Sequence, residues 1–447
     1  MKLPSMFSRG DLAKSSAQTV SATAVMLVLN LITGVMVARL LGSSGRGQIA
    51  AIVTLGQTLG WAATLGCFQS VVFHVSRNPE DAAPSIGAWM ALSLPLGIVG
   101  IVAGQLLVEP LFAAQSDETV ELARLWLLMI PLMPLSEALS GALVADRDFA
   151  AMNFYKMLQS ALPVGVYLGL WLGGVFTVEA VLLTHIGVIA VYLVLLLVRV
   201  LRRHGVARPR LALTRREVWF GARAQASNIG TQLSLRLDLM IMPAFLAASQ
   251  VGLYAVAVSI ASMVLALAGS LVMISLPVAS RDGGDNDRRV AQVLHATFLV
   301  GSVLATGIVL LAPYLLELIY SREFRDATTA LRWLAPGAVL LALGNIVNSG
   351  LYGQDRPATA GLTQVPGVLL TVFGLLLFLR GGGIAAAALI STLTYATSFL
   401  IAIVVYQRRA ALSWGELLDV RPTWSASVGR ARRLFEARAG SPGRVGG

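Results

Sequence analysis

The sequence predicts an all-α protein that crosses a membrane many times and is built from two related halves. Three observations carry this. The 447 residues are 56% hydrophobic and only 13% charged, with a mean hydropathy of +0.75, whereas ordinary soluble domains carry roughly a quarter charged residues. Apolar runs of about 20 residues, the length a helix needs to span the hydrocarbon layer, recur along nearly the whole chain. Finally, one phrase is written twice: Ser140-Gly141, four residues, then Asp146-Arg147 returns as Ser349-Gly350, four residues, then Asp355-Arg356. A looser echo sets Gly47-Gln48-Ile49-Ala50 against Gly252-Leu253-Tyr254-Ala255 at nearly the same displacement.

The elements follow in order. Spans are predicted near residues 17–40, 49–74, 85–108, 120–144, 157–176, 178–200, 224–247, 251–276, 291–318, 330–352, 362–379 and 384–406. Charge and turn residues mark the connections, as at Arg39 to Gly47, at Arg77-Asn78-Pro79-Glu80-Asp81 and at Asp282-Gly283-Gly284-Asp285. The fifth and sixth spans nearly touch around Val175–Val178. Lys2, Arg9 and Lys14 precede the first apolar stretch, which is too long for a signal-peptide core and reads as a signal anchor. With both termini inside, 26 of the 34 basic residues fall in inner segments and seven outside, while Arg236 lies within a span. That asymmetry is what the positive-inside rule requires of twelve spans. The long basic connection near Arg202–Arg223 divides them six and six: an N-terminal lobe over residues 1–208, a C-terminal lobe over 209–407 and a basic inner tail over 408–447. In the tail, Trp424, Val428, Ala431 and Phe435 share helical spacing, which suits either a short interfacial helix or a disordered tail.

Composition also excludes function classes. A net charge of +11 and a pI near 10.4 would suggest nucleic-acid binding in a soluble domain. Here the excess lies in the basic connection and the tail, where topology and attraction to anionic membrane lipids account for it. Cys67 is the one cysteine, and His74, His185, His204 and His295 are scattered, so neither a disulfide framework nor a metal site is expected. Gly42-Ser43-Ser44-Gly45-Arg46-Gly47 lacks the Gly-Lys-Ser/Thr ending of a phosphate-binding loop. No catalytic elbow, zinc motif, cofactor motif or room for an ATPase domain is present, so the chain reads as a non-enzyme. Any work would draw on an ion gradient, on the substrate's own gradient or on nothing.

Polar residues inside spans are costly and usually face a cavity or a partner. The seventh span is the most polar. At about 100° per residue, Gln225, Asn228, Gln232 and Arg236 gather on one face, and Ser227, Thr231, Ser234 and Asp238 on the opposite one. Arg236 is the leading substrate contact, because a guanidinium stays charged and grips phosphate bidentately; a structural ion pair with Glu137 or another carboxylate is the equal alternative. Asp238 and Glu137 are the coupling candidates, since burial brings a carboxyl toward the working pH. A hydrogen-bonded helix contact competes for Asp238. Asn30 is a weaker lumenal candidate, since a single Asn in a span is more often an interhelical bond. Lys156 reads as an interfacial anchor. The duplicated Asp-Arg pairs fall in short inner loops, either as gate clamps or, more simply, as a capping Asp beside a positive-inside Arg. Prolines within spans, among them Pro95, Pro131, Pro163, Pro243, Pro313 and Pro336, suggest bends that could serve alternating access, although Pro is also ordinary in membrane helices.

These residues carry a family resemblance. The run from Ala38 to Gln48 resembles the small-residue, double-glycine turn of bacterial polysaccharide transporters. Leu235-Arg236-Leu237-Asp238 followed by Val251-Gly252-Leu253-Tyr254 resembles their seventh and eighth spans, and Gly350 to Phe378 their tenth-to-eleventh hairpin. Gln48 departs from the pattern, where many relatives carry an aliphatic residue. The resemblance covers most of residues 15–407 and belongs to the multidrug/oligosaccharidyl-lipid/polysaccharide exporter (MOP) superfamily. It implies two pseudo-symmetric six-helix lobes in a V, like the multidrug exporters of that superfamily. It also implies a flippase that moves undecaprenyl-diphosphate-linked oligosaccharide, or a related polysaccharide, across the bacterial inner membrane. H+ or Na+ as a coupling ion and other glycan-assembly proteins as partners are left open. The alternatives are a cation-coupled multidrug exporter, the peptidoglycan-precursor branch, which typically has extra spans, and, from another class, a membrane-embedded glycosyltransferase or ligase.

Overall fold

The computed structural model describes residues 9–279, 286–354, 357–410 and 413–418, with side chains over 25–226, 229–266, 287–354, 359–410 and 413–417. The Asp282–Asp285 connection, the second Asp355-Arg356 pair, the Asn228 side chain and the tail helix lie outside these residues. All described elements are helical: α1 (Arg9–Ala63), α2 (Cys67–Arg77), α3 (Ala82–Leu111), α4 (Asp117–Trp126), α5 (Leu132–Ala145), α6 (Phe149–Leu172), α7 (Val178–His204), α8 (Leu211–Ser234), α9 (Leu237–Ile241), α10 (Ala248–Ala279), α11 (Asn286–Ile319), α12 (Thr328–Gly353), α13 (Pro357–Leu362), α14 (Val365–Gln407) and α15 (Trp414–Leu418).

Among the described residues, eight helical stretches are long and apolar enough to cross a membrane. Two of them, Val25–Arg77 with 53 residues and Thr359–Gln407 with 49, have about twice the length one crossing needs. Each bends at a glycine: Gly42 (φ 69°) in α1 and Gly383 (φ 54°) in α14. Where the sequence suggests a loop from Arg39 to Gly47, the chain instead turns at one residue, because glycine adopts positive φ without a Cβ clash. The bend is held from outside. Glu323 accepts from Ser43 N at 2.9 Å, supplying a carboxylate to the helix start after Gly42. Arg39 donates to the Leu318 and Ile319 carbonyls that end α11.

Neither α6 nor the α8–α9 pair is among the eight. Lys156, Gln159 and Ser160 in α6, and Gln225, Thr231, Gln232 and Arg236 around α8, make these segments too polar, and those side chains line cavities. The basic connection is shorter than its Arg-rich composition suggests. Helix α7 runs to His204 and α8 begins at Leu211, since arginine is a good helix former. The fifth and sixth spans part at Gly173–Thr177, where the Thr177 hydroxyl caps α7 by accepting from Ala180 N at 3.2 Å.

Buried side chains sort the helices. Trp89, Leu139, Leu143 and Leu196 pack α2, α3, α5 and α7 together. Tyr254, Leu331, Leu334 and Tyr406 pack α10, α12 and α14, with α11 against them. The duplicated Ser-Gly corner meets a tyrosine of a neighbouring helix in both groups, through the serine in one and the glycine in the other. Ser140 Oγ lies 3.0 Å from Tyr192 Oη on α7, and Gly350 backs onto the Tyr406 ring on α14. Asp146 then holds His204 at 2.7 Å and Arg203 at 3.2 Å, while Asp148 accepts from Ala151 N at the start of α6 and pairs with Arg199 at 2.7 Å. In this copy the acidic residues tie an interhelical corner to the end of α7.

The two groups meet along two backbone-close seams. A Cβ on Gly47 would fall 1.8 Å from the Ala248 carbonyl oxygen, and one on Gly252 would fall 1.9 Å from that of Ser43. The glycines of the looser sequence echo are thus placed against each other, near the Gly42 bend. Nearer the end with the Arg-rich connection, Gly66 and Gly221 approach equally closely.

Candidate functional site

Two adjoining cavities of about 620 and 500 Å³ open between these seams, a size typical of ligand sites. Gln57, Met133 and Glu137 line both. The first cavity lies mostly among α1, α5, α6 and α7 and takes in Asn30, Arg46, Lys156, Gln159, Tyr167 and His185. The second lies between α1, α2 and α8 and takes in Trp61, Gln69, Gln225, Thr231, Gln232 and Arg236.

Each sequence candidate has a definite place. Arg236 follows the end of α8 at non-helical φ −132°, so its side chain leaves the helical register. Its Nη1 donates to Gln57 Oε1 at 2.8 Å. Glu137 shares this cavity, but the hydrogen bond of Arg236 goes to Gln57. The break also upsets the two-stripe picture of the seventh span: Thr231, expected on the far face, lines the second cavity beside Gln232. Gln225 spans the seam, donating to the Trp61 and Ala62 carbonyls at 2.9 and 3.2 Å and accepting from Thr64 at 3.0 Å. Asn30 lines the first cavity, apart from the other amides.

Asp238 lines neither cavity. It is buried, and its carboxylate accepts from Tyr254 Oη, from Ser391 Oγ at 3.2 Å and from Leu239 N at 2.7 Å. Three donors around one carboxylate balance its loss of hydration, and they bind α9 to α10 and α14. Glu137 does line both cavities, and the charge acting on it is that of Lys156.

Two cavity cations escaped the sequence reading. Arg46 looked like a residue of an external loop, yet beyond the Gly42 bend it points inward, with Nη2 3.3 Å from Ser259 Oγ and Nε without a partner. Lys156 looked like an interfacial anchor but lines the first cavity. The available signal was spacing: Lys156, Gln159, Ser160 and Tyr167 share one face of α6. His185 stands beside Arg46 in the first cavity, its Nδ1 2.9 Å from the Val181 carbonyl and 3.2 Å from Tyr167 Oη. Among the described residues no cluster of three or more metal-ligating side chains exists.

The lining is therefore basic. Arg46, Lys156 and Arg236 face it against a single carboxylate, that of Glu137, among the described residues. Such a lumen can hold a polar, anionic group inside a membrane protein.

Comparison with known proteins agrees with this architecture. The profile of the family described as "Polysaccharide biosynthesis protein" matches residues 36–329. A "probable low-salt glycan biosynthesis flippase", Agl15 of Haloferax volcanii, is 22% identical over 180 residues, 39% of this chain. The match spans only 38% of that protein's length. Among solved structures, the lipid II flippase MurJ in an inward closed conformation superposes with a TM-score of 0.72 at 14% identity, covering 96% of this chain and 94% of that one. An inward-facing MATE-family multidrug resistance transporter of the MOP superfamily gives 0.69 at 16% identity, covering 86% and 94%. The chain is thus a multi-pass membrane protein that belongs to the polysaccharide biosynthesis protein family and is built on the fold of MOP-superfamily transporters and flippases.

Proposed function

We propose that the chain is a flippase for an undecaprenyl-diphosphate-linked oligosaccharide or a related polysaccharide. It acts by alternating access in the bacterial inner membrane, through twelve crossings with both termini inside. The observation that carries this is the sign of the cavity: among the described residues three basic side chains face one acid. Moving a diphosphate head through hydrocarbon is prohibitive unless polar groups replace its water. Arginine forks offer the charge-assisted, bidentate bonds that a diphosphate accepts. The amides and hydroxyls of Gln57, Gln159 and Tyr167 suit the saccharide, and the lipid tail stays outside between the halves. A cation-exporting relative would want lumenal carboxylates, and Glu137 alone is a poor provision for one.

Substituting Arg236 tests the reading. Cells carrying Arg236→Ala at normal membrane levels are expected to lose surface glycan about 10- to 100-fold, the worth of one charged hydrogen bond or two, and to accumulate the lipid-linked intermediate in the inner leaflet. Undiminished surface glycan would remove Arg236 from the site.

A further inference from the structure

Outside both cavities, beside the Arg-rich connection, the first turns of α8 carry a carboxylate that the transport reading does not use. Glu217 precedes the 224–247 span and is fully buried against α3. Neither of its carboxylate oxygens makes a hydrogen bond of ordinary geometry among the described residues. Ser85 Oγ and Trp89 Nε1 on α3 are turned toward it, both fully buried and likewise without a bond of ordinary geometry. An ionised carboxylate is costly in such a place and is relieved wherever the contact parts and water reaches it.

The contact runs on along one face of α8, at the i, i+3, i+4 and i+8 positions that share a helix side. Ser70 Oγ donates to the Glu217 carbonyl at 2.9 Å. Phe220 stacks on Phe73 with ring centroids 4.3 Å apart. Gly221 meets Gly66 backbone to backbone, and Gln225 bonds the Trp61 and Ala62 carbonyls. These contacts join the first helix after the Arg-rich connection to the helices before it, so parting them opens the second cavity toward this end.

We propose that the α8 seam against α2 and α3 is the gate on the basic side, and that Glu217 is its proton-binding site: protonated while the gate is shut, ionised when it opens. On opening, the carboxyl O–H bond breaks and the proton passes to water; closing takes a proton back. Burial pushes the Glu217 carboxyl up to about 7; Ser85 and Trp89 oppose this and the Asp81 charge adds to it. The remaining charged neighbours are Glu80 beside Asp81, His74 and Arg77 on α2, and Arg210, Arg215, Arg216 and Arg223 flanking on or near α8. Of these, Arg210 is engaged with Asp81 at 3.1 Å, His74 Nδ1 lies 2.9 Å from the Ser70 carbonyl and Arg77 sits over the Phe73 ring.

The sign follows. The shut gate holds the proton up to about pH 7, whereas the exposed carboxyl of the open gate has its ordinary, lower value. The shut state is therefore favoured most in acid, and the open-to-shut ratio rises about tenfold per pH unit between about pH 5 and about pH 7, then levels off. The meaning of this gate for transport rests on the alternating-access reading; its titration does not.

Spin labels at Ser76→Cys on α2 and Trp219→Cys on α8, in a Cys67→Ser background of the full-length protein, report the separation by pulsed electron resonance. The distance distribution is expected to lengthen as pH rises through this window, and to stay short at every pH with Glu217→Gln. Trp89→Phe removes a donor to the ionised form and should move the midpoint upward, which keeps the proposal testable if the Gln variant does not fold. A pH-independent distribution, or an unchanged midpoint in Glu217→Gln, would overturn the gate while leaving the Arg236 result standing.

Discussion

Arg46, Lys156 and Arg236 are tolerated in a membrane protein because each opens onto space shared with amides and hydroxyls, so water or a ligand can replace bulk hydration. Asp238 survives by the opposite means, a buried shell of protein donors. That difference leads to a prediction at the residue scale. Asp238→Ala leaves the Tyr254 and Ser391 hydroxyls without their acceptor, and should cost about 1–3 kcal/mol of stability, read as a lowered midpoint of thermal unfolding in detergent. Asp238→Asn keeps the acceptor oxygen and should cost less. Equal losses would mean that the charge, rather than the hydrogen bonds, sustains the site. Arg236 and Gln232 were legible as cavity residues because their polarity stands out in an apolar run. Arg46 was not, because only the Gly42 bend turns it inward.

At the scale of elements, glycines decide where helices bend and where they touch. Gly42 lets one continuous helix act as two, and Gly47 and Gly252 let α1 and α10 approach until backbone meets backbone. A side chain in that seam has no flexible neighbour to displace, because the obstructing atoms are the Ser43 and Ala248 carbonyls. Gly252→Leu should therefore force the helices apart, with an overpacking cost of about 1–3 kcal/mol or more. Cross-linking yield between cysteines introduced on either side of the seam should fall, whereas the same substitution at Gly307, which faces open space, should change little. An unchanged yield in the Gly252 variant would show that this end is not closed as described. The breaks that matter for the cavity, at Leu235–Arg236 and at Gly42, occur without a proline at the break itself. Of the expected proline bends, Pro131 and Pro243 do lie where helices are interrupted, whereas Pro95, Pro163, Pro313 and Pro336 lie inside continuous helices.

For the whole molecule, the close backbone approaches at Gly47–Gly252 and Gly66–Gly221 flank the stretch of α1 that lines the cavities. Coupling belongs to this scale, because an ion drives transport only by favouring one arrangement of the halves over the other. Among the described residues Glu137 is the carboxylate that lines both cavities, and Lys156 lines the first of them beside it. If it carries a coupling proton, Glu137→Gln should flatten the pH dependence of glycan translocation in proteoliposomes while leaving substrate retention intact. Transport with an unaltered pH profile in both Glu137→Gln and Asp238→Asn would remove carboxylate coupling from the mechanism.

The sequence by itself determined that the chain is a helical membrane protein and carries one phrase twice. Hydropathy and the doubled Ser-Gly…Asp-Arg phrase are local properties that survive without coordinates. It also marked α8–α9 as the polar segment, because amides and an arginine in an apolar run cost too much to be incidental. Only the tertiary structure decided which polar groups share a cavity. It brought Arg46 and Lys156 into the lumen and withdrew Asp238 into a shell of donors. It also buried Glu217 against Ser85 and Trp89. The physical reason is common to all four: helical periodicity gives the face a residue occupies, but bends, breaks and neighbouring helices decide what that face meets.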